Sequence, residues 1–240
     1  MDNIVGRLQS EFSSHQIDVI IGSLLGDARL ECRSIGVRSP ITVRFRVHHG
    51  LKQKEYVIWK YNVLKEFVKK EPAEITWVNP KRNLHEVSWY FHTKSMQELG
   101  TLYHYFYKNG IKILPENIFE ILNPVMIAVW FMDDGSNTKE SFTLNTHSLE
   151  KKDQVRIVNY LRESFGINAT IVKDRTKLKI SIGKYDYKKF SAVVEPYIIP
   201  SMIYKIANPR NDLLVTHRQS KNVPIFANTS VPNLEHLEKV

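Results

Sequence analysis

Two aspartates at the ends of apolar segments are the residues of this chain best placed to do chemistry. Asp27 ends the run Ile-Ile-Gly-Ser-Leu-Leu-Gly-Asp, and Asp134 ends the run Ile-Ala-Val-Trp-Phe-Met-Asp-Asp, 107 residues later. A helix over either run carries its carboxylate in the last turn, where the helix dipole is negative. Because both helices place an acid where it costs energy, we expect a cation at that end of each.

Each apolar run begins at a recognisable helix start. Ser13 and Gln16 have the spacing of a capping box, and Asn123 precedes Pro124 as an N-cap precedes a first-turn proline. These signals predict one helix from about Ser14 to Asp27 and a second from Pro124 to Asp134.

The first of these helices carries small residues on one face. Gly26 follows Gly22 by four positions and Ser23 by three, so the three residues lie on one side of the helix. They would let a second helix approach closely, and the alternative is ordinary tight packing against a sheet. Both interpretations bury the helix.

The two runs resemble the motif of the LAGLIDADG homing endonucleases. Asp27 and Asp134 both fall on its eighth position, which is the metal-binding acid of the family. The second copy ends in Asp-Asp-Gly, as family members often do, whereas Ala28 stands where glycine is usual in the first copy. Val129 replaces the motif glycine in the second. The resemblance covers roughly residues 15 to 207.

The resemblance implies an α/β fold of the α+β type, a duplicated αββαββα arrangement. Its two pseudo-symmetric half-domains would carry saddle-shaped DNA-binding sheets. The predicted order of elements agrees, since each half reads helix, strands, helix, strands, helix. We expect half-domains over residues 1–122 and 123–207, and an irregular extension over 208–240, where three prolines and little apolar periodicity occur.

With the two motif helices packed on the pseudo-two-fold axis, Asp27 and Asp134 would meet at one end. Two close carboxylates repel each other, and the negative ends of two helix dipoles add to this repulsion. Both carboxylates therefore cannot stay ionised without a positive partner. Hard oxygen ligands suit Mg²⁺, with Mn²⁺ as an alternative, and we expect the neighbouring Gly26 and Asp133 in the same metal site.

The resemblance also supplies two catalytic lysines. The single-chain branch of the family carries one lysine shortly before the second motif helix and another near the end of the second half. Lys112 in Ile-Lys-Ile-Leu-Pro and Lys205 in Ile-Tyr-Lys match them. Their expected roles are to hold the nucleophilic water and to offset phosphate charge.

DNA contacts are expected from the polar faces of strands. The segment Ile41–His48 alternates strictly, so that Arg44, Arg46 and His48 share a face opposite its apolar residues. Arginine can offer a bidentate fork to guanine in the major groove. Further DNA-binding candidates lie on the later strands and turns: Lys81, Arg82, Ser88, Tyr90, Asn145, His147, Lys173, Arg175, Lys177 and Lys179.

One of these segments departs from the family. Asn145-Thr-His147 resembles its Asn-Thr-Gln segment, with histidine in the place of the glutamine. Basic turn residues such as Lys81 and Arg82 would lie near a phosphate backbone or simply in water.

Composition favours a nucleic acid as the partner. The 240-residue chain has a net charge of +9 and a pI of about 9.4. Its single cysteine, Cys32, rules out internal disulfides and cysteine-rich zinc sites. No signal peptide and no bilayer-length apolar run is seen, so we expect an intracellular protein that binds no membrane.

The resulting functional prediction is a monomeric, Mg²⁺-dependent homing endonuclease. It would hydrolyse both strands of a long double-stranded DNA site and leave short 3′ overhangs. One rival is an intron RNA maturase on the same scaffold, with or without cleavage. A second rival is a DNA-binding regulator, which would be expected to lose an acid or a lysine.

Three further elements are predicted with definite limits. Leu51–Lys70 reads as one amphipathic helix, whose buried side carries Val57, Ile58, Tyr61, Leu64, Phe67 and Val68. Met96–Asn109 reads as a helix closed by Gly110 as a C-cap. Ser141–His147 reads as a half-buried strand.

Overall fold

The computed structural model describes residues 4–32, 41–79, 84–138 and 141–207. The extension predicted over residues 208–240 lies outside the described residues, as do Lys81 and Arg82.

The elements follow the predicted order. In the described part of the chain, the helices are α1 (Ile4–Leu8), α2 (Ser14–Leu25), α3 (Lys54–Leu64), α4 (Gln97–Phe106), α5 (Pro124–Asp134), α6 (Lys151–Phe165) and α7 (Tyr187–Val194). The strands are β1 (Arg29–Glu31), β2 (Arg44–Gly50), β3 (Ala73–Asn79), β4 (Leu84–His92), β5 (Tyr107–Lys108), β6 (Ile111–Lys112), β7 (Gly135–Asn137), β8 (Phe142–Leu144), β9 (Thr170–Asp174) and β10 (Lys177–Ile182).

The two halves have the same topology. From α2 to α4 and again from α5 to α7, the chain runs αββαββα, apart from the small β5–β6 hairpin. The sheets have equivalent strand orders, β1-β2-β4-β3 and β7-β8-β10-β9, and their neighbours pair antiparallel. The duplicated α+β fold is thus confirmed, whereas the division at residues 122 and 123 stays a prediction.

Helices α2 and α5 pack against each other at close range. A Cβ added to Gly22 would lie 2.6 Å from the Met126 carbonyl oxygen and 2.7 Å from Val129 Cβ. A Cβ on Gly26 would collide with the Asp133 side chain. The predicted small face therefore meets a second helix, and Gly22 makes room for Val129, the residue that replaces the motif glycine.

The start of α2 and α5 is as predicted. The Gln16 amide donates to Ser13 Oγ at 3.3 Å, and the Ser13 amide donates to Gln16 Oε1 at 2.8 Å, which completes the capping box. The Met126 amide donates to Asn123 Oδ1 at 3.0 Å. These side chains satisfy donors that a helix start leaves free.

The predicted C-cap at Gly110 is wrong. α4 ends at Phe106, and the chain returns as a hairpin in which Tyr107 pairs with Lys112. Asn109 and Gly110 have positive φ values of 53° and 78° and form its turn. Asn-Gly is the usual sequence of a type I′ hairpin, because both residues tolerate positive φ. This hairpin delivers Lys112 to the centre of the molecule.

The long predicted helix after β2 is also wrong. It is divided into the 3₁₀ turns Leu51–Gln53 and Lys65–Phe67 on either side of α3. Val57, Leu64 and Phe67 are buried as predicted, whereas Ile58, Tyr61 and Val68 are only half-buried. Tyr56 and Lys60, which were not predicted to be buried, are fully buried.

The strands differ less from prediction. β2 keeps the alternation, with Phe45 and Val47 fully buried, but it begins at Arg44 and extends to Gly50, and Ile41 is exposed. The strand predicted over residues 141–147 is only Phe142–Leu144, and the three-residue strands β1 and β7 were missed. No helix in the described ranges is long and apolar enough to cross a bilayer.

Candidate active site and nucleic-acid interface

The two motif acids lie at the same end of the α2–α5 pair. α5 continues through Asp134, whereas α2 ends at Leu25 and Asp27 follows its C-cap, Gly26. Asp27 is exposed and Asp134 is half-buried. Partial burial and then the charge of Asp27 raise the pKa of Asp134 to about 7.

Two lysine ammonium groups, those of the half-buried Lys112 and the buried Lys205, hold the chain around these acids in equivalent ways. Lys112 Nζ donates to the carbonyl oxygens of Gly26 and Ala28, at 2.7 and 2.9 Å. These two residues flank Asp27, so the lysine holds the backbone on both sides of the first acid.

The second lysine repeats this arrangement. Lys205 Nζ donates to the carbonyl oxygens of Asp133 and Gly135, which flank Asp134, at 3.1 and 2.8 Å. A further contact to the Phe131 carbonyl is 3.5 Å long. The pseudo-symmetry of the fold thus extends to the hydrogen bonds of the two lysines predicted from sequence.

The site brings charges of both signs close together, and apart from Asp27 they are buried or half-buried. Burial lowers the pKa of Lys112 to about 8, although the charges of Asp133, Asp134 and Asp27 act to raise it. Burial lowers the pKa of Lys205 for the same reason. Burial, followed by the charge of Asp133, raises the pKa of Asp27. A bound cation would relieve this repulsion between carboxylates.

Asp133 breaks the symmetry of the site. Its carboxylate lies over Gly26, accepts the Asp27 amide at 3.2 Å and forms a 2.7 Å ion pair with Lys60. Both side chains of the ion pair are 0% exposed. The Asp133 carboxylate is therefore occupied by these interior contacts. If Gly26 and Asp133 bind the metal as predicted, they would bind it through their backbone carbonyl oxygens.

His49 lies between the carboxylates of Asp27 and Asp133. Its Nδ1 is 3.6 Å from Asp27 Oδ2, and its Nε2 is 3.6 Å from Asp133 Oδ1. Burial and then the charge of Lys60 lower the pKa of His49 to about 4. The ring is consequently neutral at physiological pH.

Sequence reasoning missed both His49 and Lys60. A signal for each was available: His49 continues the buried alternation of Phe45 and Val47, and Lys60 lies one turn after Tyr56 on the buried stripe of α3. A polar residue on an apolar stripe indicates a buried partner. That partner, Asp133, lies 73 residues from Lys60 along the chain.

The polar face of the first sheet has its own counter-ion. Arg44 and Arg46 share this face as predicted, and both contact Glu31 of the neighbouring strand β1, at 2.9 and 3.2 Å. Arg29 joins them at 2.7 Å from Glu31. Sequence reasoning missed Glu31 because β1 is only three residues long.

Other predicted DNA-binding residues on this face support one another. His48 Nε2 is 2.7 Å from Ser88 Oγ, and Ser88 is buried. The Arg46 guanidinium lies 5.0 Å from the centre of the Tyr90 ring. The sheet therefore brings Arg44, Arg46, His48 and Tyr90 together at its polar surface. Ser88 lies on the same face and is covered by its contact with His48.

The second sheet brings together a smaller set. Asp174 Oδ2 contacts Lys179 Nζ at 2.9 Å and His147 Nε2 at 3.3 Å, and Lys177 pairs with Asp174 across the β9–β10 ladder. The ladder also places Lys173 opposite Leu178. Directly paired residues share a face, so Lys173 lies on the opposite face from Lys177 and Lys179.

The remaining predicted residues of the second half lie at its turns. Arg175 is exposed in the β9–β10 turn with a φ of 56°. Asn145 follows β8, and its amide donates to the Asp134 carbonyl at 3.1 Å. Asn145 is thus tied to the end of α5, beside the acid, by its backbone.

Comparison with known proteins identifies the family. The sequence pattern described as "LAGLIDADG DNA endonuclease family" matches residues 17–190, which is more than half of the chain and includes both acids. This chain is a member of the LAGLIDADG family.

The relatives include both endonucleases and a maturase. DNA endonuclease I-ChuI of Chlamydomonas applanata is 26% identical, over 82% of this chain and 96% of that protein. Cytochrome b mRNA maturase bI2 of Saccharomyces cerevisiae is 26% identical over 87% of this chain. The chain spans about half the length of that maturase and of five mycobacterial proteins named RecA, which it also matches.

Solved structures of LAGLIDADG homing endonucleases share the fold. I-WcaI bound to its DNA recognition sequence has a TM-score of 0.75 and 26% identity, covering 86% of this chain and 93% of that chain. Variants of I-DmoI with target DNA, in the presence of Mg or Mn, have a TM-score of 0.50. At 14–16% identity, I-DmoI is a likeness of fold alone.

Proposed function

We propose that this protein is a site-specific double-stranded DNA endonuclease that cuts both strands of a long recognition site. The observation that carries the proposal is the equivalent bracing of Asp27 and Asp134 by Lys112 and Lys205. Such a pair of acids, each with its own ammonium group, suits one shared centre that takes the scissile phosphate of each strand. Family membership and the likeness to I-WcaI support the same reaction class.

The donor set fits a hard divalent ion. The described residues contain no group of three or more acidic, histidine or cysteine side chains that could hold a metal alone. Mg²⁺ keeps several waters and takes oxygens from phosphate, so it needs only one or two carboxylates such as Asp27 and Asp134. We propose Mg²⁺, with Mn²⁺ as an alternative, and the carbonyl oxygens of Gly26 and Asp133 as further candidate ligands.

When bound there, a divalent ion would lower the pKa of a water and stabilise the leaving oxygen of the phosphodiester. The protein's own groups would do the rest. The Lys112 and Lys205 ammonium groups fix the backbone beside each acid and offset the charge of the approaching phosphate. The polar faces of the two sheets would bind the flanking DNA, mainly through phosphates for affinity and base edges for specificity.

We infer further that one chain suffices for activity, because a single chain supplies both acids and both lysines. The active form is therefore expected to be a monomer. We also propose that it acts inside the cell and leaves short 3′ overhangs. The alternative of a host intron RNA partner is favoured by one specific observation, the similarity to maturase bI2 over 87% of this chain.

The test is selective cleavage of a randomised double-stranded DNA library with Mg²⁺, with sequencing of the new ends. The proposal expects a small enriched set of sites, cut on both strands with a constant stagger and 3′ overhangs. Binding without cleavage in Mg²⁺ or Mn²⁺ would contradict the nuclease proposal. Structured intron RNA would then be the next substrate.

A further inference from the structure

One carboxylate, Glu31, lies among three guanidinium groups on the polar face of the first sheet. Its Oε2 accepts Arg44 Nε and Nη2 at 3.0 and 2.9 Å. Its Oε1 accepts Arg29 Nε at 2.7 Å and Arg46 Nη1 at 3.2 Å. The strand register produces this cluster, because Glu31 pairs with Arg44 and Arg29 pairs with Arg46.

The contact leaves the recognition edge of Arg44 open. A guanidinium has five N–H donors in a rigid fork, and Glu31 uses one on Nε and one on Nη2. The remaining hydrogens on Nη1 and Nη2 form the end-on fork that matches guanine O6 and N7. Glu31 thus fixes the direction of Arg44 without occupying the edge that reads a base.

Arg46 is held on two sides. Glu31 accepts its Nη1, and its guanidinium lies 5.0 Å from the centre of the Tyr90 ring. The Arg46 and Arg44 side chains are 19% and 24% exposed, and Glu31 is 18% exposed. Two half-buried arginines with a shared anchor have little freedom to follow an irregular phosphate backbone.

Glu31 also changes the charge of the patch. Burial acts to raise the pKa of Glu31, but hydrogen bonds from Arg44 and Arg29 hold that pKa below its usual value. The carboxylate is therefore ionised at neutral pH, and it reduces three positive charges to a net of two. A negative group at this position repels backbone phosphates. The arginines then remain available to bind base edges in the groove.

We propose that Glu31 is a specificity-determining residue, which orients Arg44 and Arg46 toward base edges and keeps backbone phosphates off the same patch. This inference rests on the DNA-binding function proposed above. The alternative is an ordinary surface ion cluster, whose removal would change stability slightly and leave base preference unaltered.

The experiment measures base preference rather than cleavage. Wild type, Glu31→Gln and Glu31→Asp are each used to select sites from a randomised DNA duplex library in EDTA. Dissociation constants are then measured for the selected site, its single-base-pair substitutions and an unrelated duplex at several salt concentrations. Thermal unfolding of each variant checks that it is folded.

For Glu31→Gln, we expect discrimination at one or two base pairs of a single half-site to fall about tenfold. Binding to unrelated DNA should strengthen. Glu31→Asp keeps the charge but shortens the side chain, so it should lose the same discrimination without gaining affinity for unrelated DNA. This variant separates positioning from charge.

A matched control removes a charge elsewhere. Glu163 is exposed on α6, whose buried residues pack on the apolar side of the second sheet. Glu163→Gln changes the net charge by the same amount and should leave base preference unaltered. If Glu31→Gln shows the wild-type preference at every position, the role of Glu31 is overturned. If wild type itself selects no site, the proposed function fails instead.

Discussion

At the scale of single residues, the site depends on charges that are buried in matched sets. Each acid has a lysine beside its backbone, and Asp133 has Lys60 as an ion-pair partner at 2.7 Å. Removing one member of a buried pair leaves an uncompensated charge, which costs more than the pair itself contributes.

The ion pair between Lys60 and Asp133 predicts a large effect on stability. Lys60→Met should lower the free energy of unfolding by about 3–5 kcal/mol. Urea denaturation measures it, and Lys60→Met combined with Asp133→Asn is the control. The double variant should lose less than the sum of the two single variants. A cost below about 1 kcal/mol for Lys60→Met would mean that the pair is not formed in the folded protein.

The raised pKa of Asp134 predicts how stability depends on pH without metal. The folded protein keeps this proton up to about pH 7, whereas the ordinary value is 3.8. Between these pH values the native state binds more protons than the unfolded state, so stability falls as pH rises. In EDTA, Asp134→Asn should therefore gain stability relative to wild type from about pH 4 to about pH 7, with a constant difference above.

The measurement is urea unfolding of both proteins across that range, at fixed ionic strength. Parallel stability curves for wild type and Asp134→Asn would show that the carboxyl titrates normally. The acid would then not be held in the repulsive environment described here.

At the scale of elements, the close packing of α2 on α5 sets the distance between the two halves of the site. Gly22→Ala places a methyl group against the Met126 carbonyl and Val129 Cβ, at 2.6 and 2.7 Å. We expect a loss of about 1–3 kcal/mol in the free energy of unfolding. Gly183→Ala is the matched control, since nothing lies within 4 Å of its added Cβ.

The Gly183 variant should stay within about 0.5 kcal/mol of wild type. Equal urea midpoints for the two glycine variants would contradict the tight helix contact.

Sequence patterns predicted those elements whose signals are local. The capping box at Ser13, the Asn123 cap and the alternation of β2 gave the motif helices and one arginine-bearing strand. The predicted end of α4 is wrong because Asn109-Gly110 fits a helix C-terminus as well as a turn, and Asn-Gly is the stronger signal of a hairpin.

What could not be predicted depends on contacts between distant segments. Glu31 belongs to a strand of three residues, and its role appears only when β1 lies beside β2. Lys60 and His49 meet Asp133 only after the halves pack together. Secondary-structure propensity carries no information on such distant partners. The family resemblance, in contrast, identified Asp27, Asp134, Lys112 and Lys205 as candidate site residues.

At the scale of the whole molecule, one basic chain combines two equivalent sheets, one helix pair and one set of acids. The net charge of +9 favours a polyanion, and the duplicated sheets are suited to two half-sites of a long duplex. We propose that Asp27 and Asp134 act together in a single catalytic centre that cuts both strands.

The most direct measurement compares wild type with Asp27→Asn and Asp134→Asn, separately, on a site selected from the randomised library. Losing several kcal/mol of transition-state stabilisation predicts at least about a hundredfold slower Mg²⁺-dependent cleavage of both strands by each variant. Both variants should still bind the selected DNA site, with an affinity that falls as salt concentration rises. Cleavage of both strands at the wild-type rate by either variant would contradict a shared two-acid site.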